Sequence, residues 1–381
     1  MASISVPIIF SIHLDVYVFQ GVFIMSQPRV TIVISPRERF SFTQQNLESI
    51  YDHTQTPFEL IYVDGGSPAP IQHYLQTQAH SKGFKLIRSE QYLAPNQARN
   101  LAIPQIKTEY LLFVDNDVLV SPAWLDRLVQ CADETGASVV CPLTCIGKTV
   151  NDTIHLAGGE AHIYEEPLED GSVARKVHEK HYFVNRPVAE VKDQLHRQQC
   201  EFAEFHCMLV RTEIFARIGL LDEGFLSTRE HIDFCMSVAN VGGTLYCEPD
   251  SVVTYVPELP LNWADVSFFL LRWSDAWEMS SLEHFQTKWN LTQKDKYFKK
   301  RYKRLGHRRH HAFLRPLVRQ MPFGKDNAWL EQQAIKLERV VNRWITKRYA
   351  NKYSNQTSIP HDVIDSIYAT DTEYELVKAR R

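Results

Sequence analysis

Residues 110–120 read YLLFVDNDVLV, an apolar run followed at once by two carboxylates one residue apart. Such a run is typical of a central strand in a parallel sheet, where both faces are covered. In extended backbone, residues i and i+2 project to the same side, so we expect Asp115 and Asp117 to lie together with Asn116 turned away. Adjacent carboxylates repel each other, and a hard divalent cation is the usual remedy. A ligand-free Asx turn is the alternative interpretation of these residues.

Strands and helices alternate on either side of this stretch. Ser121 and Pro122 predict the N-cap and first residue of a helix that Gly136 ends. The alternation predicts an α/β fold with a mostly parallel sheet, and ligands at the carboxyl ends of its strands. The other predicted strands lie at 29–35, 60–63, 84–88 and 138–141.

Five segments of the chain, in this order, resemble family 2 glycosyltransferases with the GT-A fold. They read VTIVISPRERF, LIYVDGGS, QARNLAI, YLLFVDNDVLVSPAWLDRLV and GLLDEGFLSTREHIDFCMSVANVGGTLYCEP. The resemblance covers residues 29–256 and implies a Rossmann-like sheet flanked by helices. It implies a nucleotide-binding half at 29–120 and an acceptor half at 121–256. The implied activity is inverting transfer of a sugar from a nucleotide-diphosphate-sugar donor to a glycan or lipid-linked acceptor.

The resemblance also implies which residues bind the donor. Asp117 would ligate Mn²⁺ or Mg²⁺, Asp115 would serve the ribose and the metal, and Asp64 would accept a hydrogen bond from the base. A divalent cation suits this chemistry because it absorbs charge that develops on a leaving diphosphate. A plain turn at Asp64 and a surface ion pair at Arg99 are the alternatives. The remaining donor contacts implied by the family are Arg99 with the nucleotide and Pro36 and Arg37 around the base.

The acceptor side departs from the family pattern at the catalytic base. Glu230 matches the first acid of the family's Glu-Asp pair, His231 occupies the position of the usual base, and Asp233 matches a later acid. A histidine can act as a base near neutral pH, and Asp233 lies one helical turn from Glu230. We rank Glu230 first, Asp233 second and His231 third, and the identity of the base stays open. The strand at 251–256 also lacks the histidine that many relatives offer to the metal, so no histidine ligand is expected.

The chain beyond residue 256 is predicted to be a helical, basic extension at 257–350, followed by a polar tail at 351–381. The stretch 294–319 contains eleven Lys or Arg against one acid, interleaved with aromatic residues. Such a stretch suits a solvated helix face, an anionic membrane surface, an acidic glycan or nucleic acid. We favour peripheral contact with an anionic membrane and place nucleic acid last.

Composition indicates a cytoplasmic protein. The net charge is only −3 across 381 residues, and the seven cysteines form no CxxC pair, which argues against a disulfide framework or a thiol-ligated zinc site. The run 7–24 is apolar but carries His13 and Asp15, which is unfavourable for a membrane anchor. We expect residues 1–28 to be a dispensable leader, with a true start at Met25 as an option.

Two other functions fit parts of the sequence. A catalytically inactive nucleotide-sugar-binding scaffold would explain the histidine at the position of the usual base. A nucleotidyltransferase would share the nucleotide fold, but it usually carries a glycine-rich, lysine-bearing loop after the first strand. Here that loop reads SPRER from residue 35, which counts against a nucleotidyltransferase.

Overall fold

The computed structural model describes residues 27–147, 149–257, 262–292, 295–321 and 327–352. The predicted leader up to residue 26, including Met25, and the tail from residue 353 lie outside the described residues. The strands are β1 (Val30–Ser35), β2 (Phe58–Gly65), β3 (Lys85–Ser89), β4 (Tyr110–Asp115), β5 (Val118–Val120), β6 (Val139–Ile146), β7 (Thr153–Leu156), β8 (Gly159–Pro167), β9 (Val173–His181), β10 (Gln198–Cys200), β11 (Cys207–Arg211) and β12 (Leu245–Tyr255). The helices are α1 (Thr43–His53), α2 (Ala69–Lys82), α3 (Pro95–Ala102), α4 (Trp124–Thr135), α5 (Val188–Val191), α6 (Phe215–Ile218), α7 (Glu230–Asn240), α8 (Trp263–Arg272), α9 (Asp275–Lys288), α10 (Lys296–Tyr302), α11 (His307–Arg309), α12 (Arg315–Gln320) and α13 (Ala328–Lys352).

Ten of the described strands form one sheet, which confirms the α/β class. The sheet is mixed rather than mostly parallel, because five of its nine strand pairings are antiparallel. The strand order is β10-β12-β6-β11-β4-β1-β2-β3, with β5 paired to β12 and β7 to β6. The nucleotide-binding half, β3-β2-β1-β4, is parallel as predicted. On the other side of β4, strand β11 runs antiparallel to both β4 and β6. Strands β8 and β9 form a separate antiparallel hairpin.

The sheet is covered on both faces, which explains the continuous apolar run of β4. Leu111 and Phe113 pack into one hydrophobic cluster, while Leu112 and Val114 pack into the cluster on the opposite face. Every residue of β4 is buried, including the terminal Asp115. The sheet therefore buries the carboxylate end of this strand together with its apolar body.

Helix α4 begins later than the sequence suggested. Its first residue is Trp124, and the N-cap position belongs to Ala123, which has a left-handed φ of 63°. Ser121 instead donates its backbone N–H to Val252 of β12, and its side chain contacts Asn151. The expected cap at Ser121 is therefore wrong, because pairing with β12 holds that residue in the sheet.

Most of the described residues beyond 256 are helical, as predicted, and they pack onto the sheet domain. The carboxylate of Asp265 in α8 accepts hydrogen bonds from the backbone N–H groups of Phe40 and Ser41. Phe268 stacks against Phe40 with ring centroids 5.0 Å apart. The extension thus fixes the loop that follows β1.

Candidate active site

The carboxyl ends of β1, β2 and β4 place the predicted donor-site residues along one edge of the sheet. Ser35 pairs with Asp115 in the parallel register of β1 and β4, so Pro36 and Arg37 follow directly beside the two aspartates. The Asn116 side chain accepts a hydrogen bond from the backbone N–H of Arg37 and donates one to the carbonyl of Arg39. Asn116 is therefore turned away from the aspartates, as predicted, and it holds the loop after β1.

Asp117 is fully buried, and neither of its carboxylate oxygens has a hydrogen-bond partner among the described residues. Burial raises the pKa of Asp117 to about 7, with the negative charges of Glu38 and Asp115 adding to the effect. An unpartnered buried carboxylate is unfavourable by several kcal/mol or more unless a cation compensates it. The Asp117 carboxylate therefore lies where a cation could neutralise it.

A histidine lies beside the two aspartates. Asp115, Asp117 and His206 each offer one ligand atom, and these three atoms lie within 4.8 Å of one another. Burial and the charge of Arg37 lower the pKa of His206 to about 4, so its imidazole is neutral and has a lone pair to give. Two carboxylates and an imidazole fit Mn²⁺ or Mg²⁺ with the remaining positions taken by phosphate oxygens or water.

His206 corrects the expectation that no histidine ligand would be at hand. It comes from the residue before β11 rather than from the strand at 251–256. Strand β11 lies antiparallel to β4, with Cys207 opposite Val114, so the residue before it meets the end of β4. The backbone carbonyl of His206 accepts a hydrogen bond from the N–H of Asp115 and fixes this placement.

Asp115 is held by two arginines. Its carboxylate lies 3.1 Å from Arg37 and 3.1 Å from Arg99, and the Nδ1 atom of His206 is 3.3 Å away. Burial alone would raise the pKa of Asp115, but the hydrogen bond from His206 and the two guanidinium charges hold it well below its usual range. Asp115 is therefore ionised at neutral pH, and Arg99 is a buried partner in the site rather than half of a surface ion pair.

Asp64 is also buried at this edge, but it is already engaged. Its carboxylate accepts hydrogen bonds from Arg88, at 2.6 Å, and from the backbone and hydroxyl of Ser67. The segment thus forms the tight turn that was its alternative interpretation, and contact with a nucleotide base stays a prediction.

A cavity of about 200 Å³ opens beside Asp115, between the sheet edge and the extension. Five guanidinium groups line it, which makes it suited to the charge of a diphosphate. Two of them, Arg272 and Arg308, come from the extension. Arg308 belongs to the basic stretch 294–319, but no local pattern placed either arginine at this site. The arginines of the lining are Arg37, Arg99, Arg229, Arg272 and Arg308, and the acidic and histidine residues are Asp115, His155, Glu204, Glu230 and His231.

The three candidate bases on α7 point in two directions. Glu230 and His231 line the cavity, and Glu230 pairs with Arg272 at 3.4 Å. Burial lowers the pKa of His231 to about 4, which leaves its imidazole neutral. Asp233 is not among the residues that line the cavity; its carboxylate contacts Lys288 and Trp289, each at 2.8 Å. The extension therefore draws Asp233 away from the site despite its spacing from Glu230.

Glu204 is a cavity residue that the sequence did not suggest. Its carboxylate lies 2.8 Å from His155 and 3.3 Å from His206, and these three residues form a second group with ligand-type atoms within 4.8 Å. Glu204 and His206 directly precede β11, so polar residues at the start of an apolar strand were the signal available. An antiparallel partner of β4 presents its starting residues to the carboxyl end of β4.

Comparisons with known proteins agree with this architecture. A family model described as Glycosyl transferase family 2 matches residues 31–219. An uncharacterized protein, y4gI, of Sinorhizobium fredii is 25% identical over 226 residues, or 56% of this chain and 23% of that protein. The O-antigen biosynthesis protein RfbC of Myxococcus xanthus is 28% identical over 206 residues, or 52% of this chain and 15% of that protein. The chain thus spans less than a quarter of the length of these two curated relatives.

Among solved structures, the chain matches the mannosyltransferase PcManGT from Pyrobaculum calidifontis in complex with GDP-Man and Mn²⁺. It is 15% identical, with a TM-score of 0.45, and the match covers 92% of this chain and 81% of that one.

All seven cysteines are buried free thiols. No helix within the described residues has the length and hydropathy of a membrane span.

Proposed function

The chain belongs to glycosyl transferase family 2 through its residues 31–219, and from that premise we propose that it is a metal-dependent, inverting glycosyltransferase. The donor is a nucleotide-diphosphate-sugar, and the acceptor is a glycan or a lipid-linked sugar. The observation that carries the proposal is the fully buried, unpartnered carboxylate of Asp117, which lies within 4.8 Å of the Asp115 carboxylate at a cavity with five arginines.

The residues of the site divide between metal and donor. Asp115, Asp117 and His206 would hold Mn²⁺ or Mg²⁺, which when bound supplies a Lewis acid for the leaving diphosphate. Arg99 and Arg272 are buried and lie where they add positive charge beside that diphosphate. Their guanidinium groups are already fixed by Asp115 and Glu230, so little side-chain entropy is lost on binding.

Donor binding can be tested without knowing the sugar. Thermal unfolding would be followed with UDP, GDP, CDP, dTDP and ADP, each with Mn²⁺ and with EDTA. We expect one diphosphate to raise the melting temperature only with the metal, because a ligand at about 100 times its Kd stabilises by about 2.7 kcal/mol. The Asp117→Ala variant should lose this shift. If no diphosphate stabilises the folded protein, the proposal of a donor site is wrong.

The catalytic base is proposed to come from the two α7 residues that line the cavity. In the reaction the acceptor hydroxyl attacks the anomeric carbon, its proton passes to the base, and the bond to the diphosphate breaks with the electron pair leaving on phosphate oxygen. Glu230 remains the first candidate because it is the ionised side chain of α7 that lines the cavity. Burial alone would raise the pKa of Glu230, but Arg272 and other nearby cations hold that pKa below its usual value. His231 is the second, as a neutral imidazole.

Substitutions on α7 separate these candidates. Glu230→Gln should lower kcat by roughly 10²-fold or more, the usual contribution of a general base. Asp233→Asn is the matched control on the same helix and should leave kcat nearly unchanged, because Asp233 faces Lys288. The measurement is the rate of diphosphate release from the nucleotide-sugar whose nucleoside diphosphate stabilised the protein in the thermal-unfolding experiment. A larger loss in Asp233→Asn would contradict this assignment, and a loss confined to His231→Asn would move the role to the imidazole.

A catalytically inactive scaffold is the alternative that the altered base position favours. Such a protein would show the metal-dependent thermal shift but neither transfer nor slowly hydrolyse the donor.

We also propose a cytoplasmic location with peripheral contact between 294–319 and an anionic membrane. Lys299, Lys300 and Lys303 of this stretch are exposed, whereas Arg301 and Arg309 turn inward to Glu179 and Glu338.

A further inference from the structure

The exposed side of α13 carries a row of large apolar side chains. Trp329, Leu337, Val340 and Trp344 are 59–68% exposed to solvent. Their spacings of eight, three and four residues place all four within one quadrant of the helix. An apolar row of this size, with more than half of each side chain exposed, is unusual for a soluble surface and marks a contact site.

Apolar surface continues on both sides of this row. A groove of about 330 Å³ lies between α12 and α13 and is lined by Leu317, Met321 and Val341 among other apolar residues. A cleft of about 690 Å³ lies on the other side, between Trp344 and Trp263, and Trp263 is 92% exposed. Leu270 and Ile345 line both depressions, so groove, row and cleft form one surface.

The exposed charges of α13 are basic between residues 328 and 348. The exposed positions of this stretch carry Lys336, Lys347 and Arg348 and no acid. The two acids of the helix pair with arginines, Glu331 with Arg315 and Glu338 with Arg309. One exposed acid, Glu90, lines the cleft, where it pairs with Arg88.

We propose that this face of α13, with Trp263 beside it, docks on a lipid surface that carries anionic headgroups. Tryptophan favours the interface between headgroups and acyl chains, aliphatic side chains enter it, and lysine and arginine contact the anionic lipids. The apolar row of α13 and Trp263 lie outside 294–319, although Leu317 of that stretch lines the groove beside the row. The docking does not depend on sugar transfer. A second copy of the chain is the less suitable occupant, because pairing two such faces brings like charges together.

Vesicle binding tests the proposal on the whole chain of 381 residues. The chain would be sedimented with vesicles of phosphatidylcholine alone and with vesicles containing phosphatidylglycerol, without nucleotide. We expect binding to the anionic vesicles only, weakened by added salt as surface charges are screened. The triple variant Trp329→Gln/Leu337→Gln/Val340→Gln should bind roughly tenfold or more weakly, because it removes the apolar contribution and keeps the charge.

Three controls make the outcome specific to α13. Val173→Gln/Leu220→Gln removes two side chains of similar exposure elsewhere and should bind as the parent does. Lys299→Glu/Lys300→Glu tests the basic stretch, and Phe19→Gln/Phe23→Gln tests the apolar leader; a loss confined to either one would overturn the proposal. So would dimerisation of the parent protein that the triple variant abolishes. The nucleotide-induced thermal shift should persist in the triple variant, which separates failure of docking from failure of the donor site.

Discussion

Replacing Asp117 with asparagine is expected to stabilise the metal-free protein and to abolish metal-dependent nucleotide binding. The folded chain holds the Asp117 carboxylate without a hydrogen-bond partner among the described residues, next to Glu38 and Asp115. A pKa of about 7 against the usual value near 4 corresponds to about 4 kcal/mol when the buried group ionises. Asparagine removes that charge, so we expect the melting temperature in EDTA to rise by several degrees.

The gain in stability should depend on pH in a direction that this pKa fixes. Below about pH 4, Asp117 is protonated in the folded and the unfolded chain, and the substitution changes little. Between about pH 4 and pH 7, the unfolded chain loses this proton while the folded chain keeps it, so the parent protein becomes less stable as the pH rises. The difference in melting temperature between variant and parent should grow over this range and then level off.

Asp115→Asn is the matched control, two residues away on the same segment. Asp115 is compensated by Arg37 and Arg99, so its loss leaves two buried guanidinium groups without their carboxylate. This variant should melt below the parent protein at neutral pH. A drop in melting temperature for Asp117→Asn as well would show that Asp117 is compensated in the apo protein and is not poised for a cation.

The sequence was most informative where structure follows from neighbouring residues. The apolar run of β4 and the polar residues directly after it predicted a covered strand with Asp115 and Asp117 at its buried end. The same reasoning located Pro36 and Arg37 after β1, because parallel strands align their carboxyl ends. These site residues follow their strands directly in the sequence, so each of them could be predicted from the strand that precedes it.

The remaining site residues come from contacts between distant segments. His206 reaches the aspartates only because β11 runs antiparallel beside β4, and strand direction is not encoded in an apolar pentapeptide. Asp233 was predicted on the face of Glu230, but Lys288 and Trp289 of the extension bind it instead. Arg272 and Arg308 enter the cavity through helix packing, which helical periodicity cannot specify. The positions of these residues depend on tertiary packing, so they could not be predicted from local sequence patterns.

Removal of Arg308 is expected to destabilise the fold and weaken nucleotide binding together, since this residue ties the extension to the loop after β1. The carboxylate of Glu38 is 1% exposed and accepts hydrogen bonds from Arg308, the Tyr255 hydroxyl and the Trp273 indole N–H. Breaking a buried ion pair costs about 3–5 kcal/mol. Because 36% of the Arg308 side chain is exposed, solvent screens the pair, and we expect Arg308→Met to lose about 2 kcal/mol.

A double-mutant cycle separates the ion pair from the rest of the packing. Glu38→Gln/Arg308→Met should recover much of the stability lost in Arg308→Met, because it leaves no uncompensated carboxylate. Burial would raise the pKa of Glu38, but Arg308 and Arg37 lower it to about 2, so this stability is present above pH 4.5 and lost as the pH falls towards 2. Arg308→Met should reduce this loss of stability between pH 4.5 and pH 2.

Arg304→Met is the control for nucleotide binding, since Arg304 is an exposed arginine four residues earlier in the extension. It should leave both the melting temperature and the metal-dependent nucleotide shift unchanged, while Arg308→Met reduces both. Because Arg308 lines the cavity with Arg37 and Arg99, the double variant should regain stability without regaining nucleotide affinity. Full recovery of nucleotide affinity in the double variant would mean that Arg308 only stabilises the fold. Continued weak binding would mean that Arg308, and with it the extension, belongs to the donor site.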